Sequence, residues 1–358
     1  MENSTPSSLQ HTTFAVPSVY DPDLERSLIN KINSKTKPLG ALGMLEELAL
    51  RIGLIQKTTS PVLRHPHVLI FAGDHGIARA GVSAYPAEVT YQMVLNFIRG
   101  GAAINVFSRQ HHLTLKVIDA GVNGDFDLST PGLIHAKVAK GTKDFSKGKA
   151  MTLSQAREAI DKGAGIVHEV AAHGCNVIAF GEMGIGNTSA ASALTSVLCH
   201  LPIETVTGSG TGLDDEGVRK KINVLQKAIQ LHGAPATPLD ALSMYGGFEI
   251  AEMVGAILSA AAHRMVIVID GFIATAAYLV AHRMEPRVGD YTVFAHQSGE
   301  RGHRYALDYL GVTPLLNLNM RLGEGSGAAI AYPILDSAVR FLEEMASFES
   351  AGVSTQSA

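Results

Sequence analysis

The sequence predicts an α/β fold, a mostly parallel sheet with helices on both faces. Three observations carry that reading. Short apolar runs rich in β-branched residues recur along the chain, and they are too short for buried helices. Each ends in glycine, an acid or histidine: His67–Ala72 at Gly73-Asp74-His75-Gly76, Leu115–Ala120 at Gly121, Val177–Phe180 at Gly181, Met265–Ile269 at Asp270-Gly271, Tyr291–Ala295 at His296. Helical patterns lie between them, which is the strand–helix–strand grammar of a parallel sheet.

Taken in order, residues 1–20 read as a flexible tail, Ser/Thr-rich at the start and without the apolar stretch of a secretory signal. From Asp23 to Ile55 the pattern is helical, broken at Lys37-Pro38-Leu39-Gly40-Ala41-Leu42-Gly43 by a proline and two glycines. The best marked internal helix opens on the capping box Thr152-Leu153-Ser154-Gln155, carries Ile160, Ala164, Val167, Val170 and Ala171 on one face, and stops at Gly174. After the last strand come a helix near Arg304–Leu310 and a long apolar helix from Ala328 to about Phe348, with Pro333 expected to kink it. The division expected is therefore a small helical part from 21–60 and 328–348, an α/β domain over 61–327, and a second tail over 349–358. The segment Gly247–His263 is apolar almost all round, so the core or a partner subunit must bury it.

Composition excludes several classes. Of 358 residues 46% are hydrophobic and 17% charged, enough to bury a large core and too apolar for wholesale disorder. A net charge of −4 argues against a broad nucleic-acid face. No run reaches the ~18 apolar residues of a membrane helix. Cys175 and Cys199 each sit in apolar sequence, which favours two buried thiols and a reducing, cytoplasmic setting. No Cys/His spacing reads as zinc, and neither metal nor cofactor is expected. Glycine is the unusual count, 36 in all, and many stand where an apolar run hands over to a helix.

Ligands of such sheets bind beyond the carboxyl ends of the strands, which singles out Asp74, His75, Asp119, Gly181, Glu182, Asp270 and His296. Two motifs stand out. In Gly181-Glu182-Met183-Gly184-Ile185-Gly186-Asn187-Thr188-Ser189 a strand feeds a glycine-rich turn that opens a helix, an arrangement suited to an anion. It lacks the Lys-Ser/Thr of a Walker loop and the glycine spacing of a dinucleotide fold, so a mononucleotide phosphate is the better reading against a plain capped turn. In Arg321-Leu322-Gly323-Glu324-Gly325-Ser326-Gly327 three glycines in five residues let the backbone approach something closely. Glu324 there is read as a general base rather than a first-turn charge, since a helix start explains the acid but not the glycines. Asp74-His75 reads equally as a loop-fixing pair or a metal site. His111-His112 reads as surface, and Asp214-Asp215-Glu216 as a cap with a solvated face rather than a magnesium pair. Met183 lies where it can line a ring pocket, and Met253 reads as apolar packing.

These motifs, with Gln92-Met93-Val94, Gly100-Gly101-Ala102-Ala103-Ile104-Asn105 and Gly208-Ser209-Gly210-Thr211-Gly212, occur in one order over about residues 25–345. The set resembles the nicotinate-nucleotide–dimethylbenzimidazole phosphoribosyltransferase family of cobalamin biosynthesis. The resemblance implies a Rossmann-like sheet domain, a homodimer, and transfer of phosphoribose from nicotinate mononucleotide to 5,6-dimethylbenzimidazole. It implies Glu324 as proton acceptor and Glu182 as its assistant. It places phosphate and ribose on Gly181–Ser189 (Gly181, Gly184, Gly186, Asn187, Thr188, Ser189) with Ser298, and the base among Tyr85, Pro86, Gln92, Met183, Ile185, Leu322 and the adjacent Gly323. The competing readings are a nucleotide-dependent oxidoreductase, which needs a dinucleotide fingerprint that is missing, and a nucleotide sensor, which has no use for Glu324 in a glycine cradle.

Overall fold

The computed structural model describes residues 14–354. Its centre is one sheet of six parallel strands: β1 (His67–Gly73), β2 (Thr114–Gly121), β3 (Leu133–His135), β4 (Val177–Met183), β5 (Val266–Ile269) and β6 (Thr292–Phe294). The order across the sheet is β3-β2-β1-β4-β5-β6, all neighbours parallel. The five apolar runs are strands because both faces are covered, so each inner residue is buried on either side. The edge strand β3 was not anticipated. It has three residues, too few for any periodicity, and exists by pairing with Val117–Asp119.

The chain winds outward from β1 to β3, then crosses back to β4 on the other side of β1. The strand order therefore reverses between β1 and β4, and a crevice opens at their carboxyl ends. Gly73-Asp74-His75 and Glu182-Met183-Gly184 end on that crevice.

The helix Leu153–Ala172 starts at the expected capping box: Gln155 N–H donates to Thr152 Oγ1 at 3.1 Å and Thr152 N–H to Gln155 Oε1 at 3.0 Å. It packs on the helix Phe248–Ala262, whose residues are buried from Phe248 through Ala261. The chain's own core thus covers this largely apolar segment, and that segment is not a face left for a second subunit. The two helices meet backbone to backbone. A Cβ on Gly163 would strike the Glu252 carbonyl and one on Gly255 the Ile160 carbonyl. Gly255→Val is expected to destabilise by about 1–3 kcal/mol or more, because neither backbone can retreat. Chemical denaturation of the variant checks this.

The terminal segments lie together. The helices Pro22–Asn33 and Met44–Gln56 flank the broken stretch, and Ser326–Glu344 packs on the second of them. Lys31 Nζ meets Glu343 at 2.6 Å, and Phe348 N–H donates to the Ser34 carbonyl at 3.0 Å. Pro333 lies inside the long helix, within two turns of its start. Part of the stretch read as a tail is docked: Val16 is fully buried, and Tyr291 Oη donates to the Pro17 carbonyl at 2.8 Å. Val16 is apolar enough to hold residues 14–20 down. The rest of that tail, residues 1–13, lies outside the described residues, as do 355–358 of the second, which begins within a short helix, Phe348–Ala351.

Cys175 and Cys199 are both free and buried, and burial pushes their thiols up to about 11 and about 12. Among the described residues no helix is long and apolar enough to cross a membrane.

Candidate active site

The two glycine-flanked glutamates are one structure. Strand β4 runs through Met183, so Gly181 and Glu182 are strand residues and the turn is only Gly184–Gly186. The helix Asn187–Cys199 follows, with Gly186 at φ 99° before it. Beside β4 lies the second motif, with Gly323, Glu324 and Gly325 at φ 84°, 63° and 82°. A Cβ on Gly181 would strike the Glu324 carbonyl, and one on Gly323 the Glu182 carboxyl. A Cβ on Gly325 would lie 3.3 Å from Gly181 Cα. Gly181 and Gly325 are there because two backbones touch, and Gly323 because the Glu182 carboxyl lies against it. Glu324, by contrast, is a non-glycine residue held in the left-handed region, a strained conformation that its surroundings must impose.

Both carboxyls face a cavity of about 590 Å³ over the β1/β4 crevice. Its remaining walls include Tyr85, Met93, Phe272, Asp270, His296 and Arg321. Glu324 is buried and accepts from Ile104 N–H at 3.3 Å; burial raises its pKa above the ordinary carboxylate range, and Asp270 adds to the rise. Glu182 is buried and accepts from the Asn187 amide. Burial drives its pKa up to about 8, against the Asn187 hydrogen bond and with help from Glu249, Asp270 and Glu324. Asp270, also raised by burial, is held by Ala328 N–H at 2.9 Å and faces His296 Nε2 at 3.7 Å. Three crowded acids make the cavity favourable for positive charge and poor for several negative charges at once.

A folded-state pKa of about 8 for Glu182, against 4.5 for an ordinary glutamate, has a sign consequence. The folded chain binds more protons than the unfolded one between those values, so this group's contribution to stability falls as pH rises through that window. Glu182→Gln is expected to flatten that fall. Thermal unfolding of both proteins from about pH 5 to about pH 8 measures it.

A phosphoribosyltransferase family model matches residues 18–353. A protein of Cupriavidus necator named nicotinate-nucleotide–dimethylbenzimidazole phosphoribosyltransferase is 57% identical over 337 residues, 94% of this chain and 97% of that one. One of the same name from Dechloromonas aromatica is 57% identical over 340 residues, 94% of this chain and 97% of that one. The chain belongs to the nicotinate-nucleotide–dimethylbenzimidazole phosphoribosyltransferase family. Its fold also matches the crystal structure of CobT from Thermus thermophilus, with a TM-score of 0.90 and 42% identity over 94% of this chain and all of that one.

Of the family-implied residues, Tyr85, Glu182, Met183, Gly184, Ile185, Asn187, Thr188, Ser298, Leu322, Gly323 and Glu324 line this cavity. Pro86 and Gln92 do not: both are exposed on or before the helix Glu88–Ile98, whose Val89 and Met93 face the cavity instead. Gly181 and Gly186 shape backbone rather than wall, and Ser189 is fully buried in its helix. The turn is also a poorer backbone anion cradle than its glycines suggest. Ile185 N–H goes to Thr90 Oγ1 at 3.1 Å, Asn187 N–H to the Gly184 carbonyl at 3.0 Å, and Ser189 N–H to the Gly186 carbonyl at 3.0 Å.

Side chains supply the positive charge. Lys221, in a stretch read as a solvated face, is fully buried and donates to Thr188 Oγ1 at 2.8 Å. Burial lowers its pKa to about 8, opposed by nearby Glu300. The signal was present but quiet: on the helix Asp215–His232, Lys221 shares a face with Leu225 and Ala228. Arg321 donates to the Gly210 carbonyl at 3.2 Å at the same edge. Glu300 and Phe272 are further wall residues that no motif announced. Asp214 caps its helix, accepting from Gly217 N–H at 2.8 Å, and Asp215 and Glu216 are exposed. Among the described residues no group of three or more His, Cys, Asp or Glu could hold a metal ion.

Proposed function

We propose that this chain transfers the phosphoribosyl group of nicotinate mononucleotide to 5,6-dimethylbenzimidazole, giving α-ribazole 5′-phosphate and nicotinate. One observation carries the mechanism: Glu324 and Glu182, their backbones interlocked, present two protonatable carboxyls to one cavity whose wall includes Thr188, backed by Lys221, and Arg321. The pyridinium of the nucleotide is an activated leaving group, departing as neutral nicotinate nitrogen without protonation. Positive charge then develops on the ribose, where the acid cluster stabilises it. The incoming benzimidazole nitrogen attacks from the opposite face, so a β-linkage becomes an α-linkage. Its other ring nitrogen sheds a proton, which Glu324 accepts. Glu182 assists from beside it. Fixing both partners in line supplies part of the rate.

The base sits between Tyr85, Met93, Met183, Ile185 and Leu322. The phosphate lies at the Lys221–Thr188–Arg321 edge, with Ser298 near. On this reading, Lys221→Met should raise the KM for the nucleotide by roughly tenfold or more, the size of a lost charge-assisted hydrogen bond, and leave the KM for the base nearly unchanged. Steady-state kinetics with each substrate varied separates the two.

The decisive assay incubates the protein with both substrates and looks for nicotinate. Failure to release nicotinate would sink the reading, and hydride transfer to a nicotinamide nucleotide would favour an oxidoreductase. Because the leaving group needs no electrophilic help, turnover should survive EDTA; loss restored by one divalent ion would reverse that. The setting proposed is cytoplasmic, supported by the two free buried thiols. A homodimer is proposed on the family resemblance, and light scattering at micromolar concentration tests it.

A further inference from the structure

The sequence Gly73-Asp74-His75-Gly76 takes no part in the chemistry above, yet it is built into the site. His75 Nε2 meets Glu249 Oε1 at 2.5 Å, and both side chains are wholly buried. The pair is wrapped by glycines. A Cβ on Gly247 would strike the His75 ring and the Glu249 carboxyl, and one on Gly73 would come 2.7 Å from Glu249 Oε2. On its outer side His75 lies directly under the substrate turn. A Cβ on Gly184 would reach 3.4 Å from His75 Cδ2, and one on Gly186 would reach 3.2 Å from His75 Cβ. Gly184 also rests on the Gly73 carbonyl, closer than any side chain allows.

The residue between those two glycines is Ile185, buried and facing the cavity. Its backbone is held from a second side, by the helix Glu88–Ile98. Ile185 N–H donates to Thr90 Oγ1 at 3.1 Å. Thr90 thus holds the turn by its backbone, and His75 acts by contact from beneath.

We infer that the buried His75–Glu249 pair is a positioning device that fixes the Gly184-Ile185-Gly186 turn and thereby sets which acceptor base fits the cavity. This rests on the reaction proposed above. Neither side chain reaches the cavity wall, so their effect on its shape passes through the turn, whose Gly184 and Ile185 line the cavity. Loosening the pair lets this wall move, and a wall that moves discriminates less between bases that differ by two methyl groups.

The test measures kcat/KM for 5,6-dimethylbenzimidazole and for unsubstituted benzimidazole in the wild-type protein, His75→Ala, Glu249→Ala and Glu249→Gln, with nicotinate release as readout. The expected result is a wild-type preference for the dimethyl base that falls threefold or more in both alanine variants. Glu249→Gln, which keeps a hydrogen bond to the ring, should hold the preference within twofold. A merely structural role would lower both substrates together and leave the ratio unmoved. The inference is overturned if the wild type shows no preference, if the alanine variants change it less than threefold, or if Glu249→Gln loses it as they do. Should the alanine variants fail to fold, His75→Asn is judged by the same threshold, and if it also fails the pair holds the domain rather than one turn and the inference falls. Absence of nicotinate from the wild type would instead refute the reaction itself.

Discussion

Glu324→Gln should lower kcat by roughly 10²–10⁴-fold, ~3–5 kcal/mol of barrier, while leaving affinity for nicotinate mononucleotide nearly intact. Glutamine keeps the size of the side chain and can still accept from Ile104 N–H, so the 3.3 Å contact that orients it survives. What disappears is the proton acceptor. On the proposed binding mode the phosphate is held elsewhere, at the Lys221–Thr188 edge, so binding measured by titration calorimetry should change little. The rate loss alone does not separate base from electrostatic stabiliser, because a carboxylate also favours positive charge on the ribose. The pH profile does. Burial and Asp270 raise the Glu324 pKa, so wild-type kcat should fall on the acid side beginning above the ordinary carboxylate range. Glu324→Gln should lose that limb. Glu182→Gln should cost less if Glu182 only assists. The reverse outcome, a dead Glu182→Gln beside an active Glu324→Gln, would exchange the two roles.

Gly181→Ala should be the most damaging small substitution in the site. One methyl group would stand where the Glu324 carbonyl and the Gly325 nitrogen now are, and both are backbone. Overpacking in a rigid core typically costs about 1–3 kcal/mol and sometimes more. Here Gly181 belongs to a strand with partners on both sides and its neighbours to a run of three left-handed residues, so little can relax. The two motifs must part, and Glu324 moves with its backbone. The variant should unfold at lower denaturant than wild type and lose activity beyond what its folded fraction explains. Gly132→Ala is a contrasting variant: its φ of 80° is positive, unlike that of Gly181, and a Cβ there meets nothing within 4 Å. It should carry only the backbone penalty and keep full activity. Comparable loss of stability at both positions would mean that close approach at Gly181 costs no more than a left-handed backbone penalty, and the overpacking argument would fall.

Much of this was written in local sequence. The five apolar runs were legible as strands because residues buried on both faces must be apolar throughout, and glycine, an acid or histidine marks where each one stops. The capping box at Thr152 was legible because it is closed by residues three apart. Both glutamates were legible because three nearby glycines have no use in a plain helix start. Other features depend on residues distant in sequence. Strand β3 is three residues that become a strand only beside Val117–Asp119. Lys221 is a cation in a charged helix until the fold turns its face inward onto Thr188. Glu249 gives no signal until Gly73, His75 and Gly247 close around it. The segment Gly247–His263 was equally fit for a core or for a subunit contact, and the close approach of Gly163 and Gly255 decided for the core. The sequence by itself determined the elements and the two acids, since periodicity, capping and glycine content act within a few residues. The tertiary structure alone decided that Gly181 and Glu324, 143 positions apart in the numbering, touch backbone to backbone. The physical reason is that burial and close approach are properties of pairs, and one member of a pair does not specify the other.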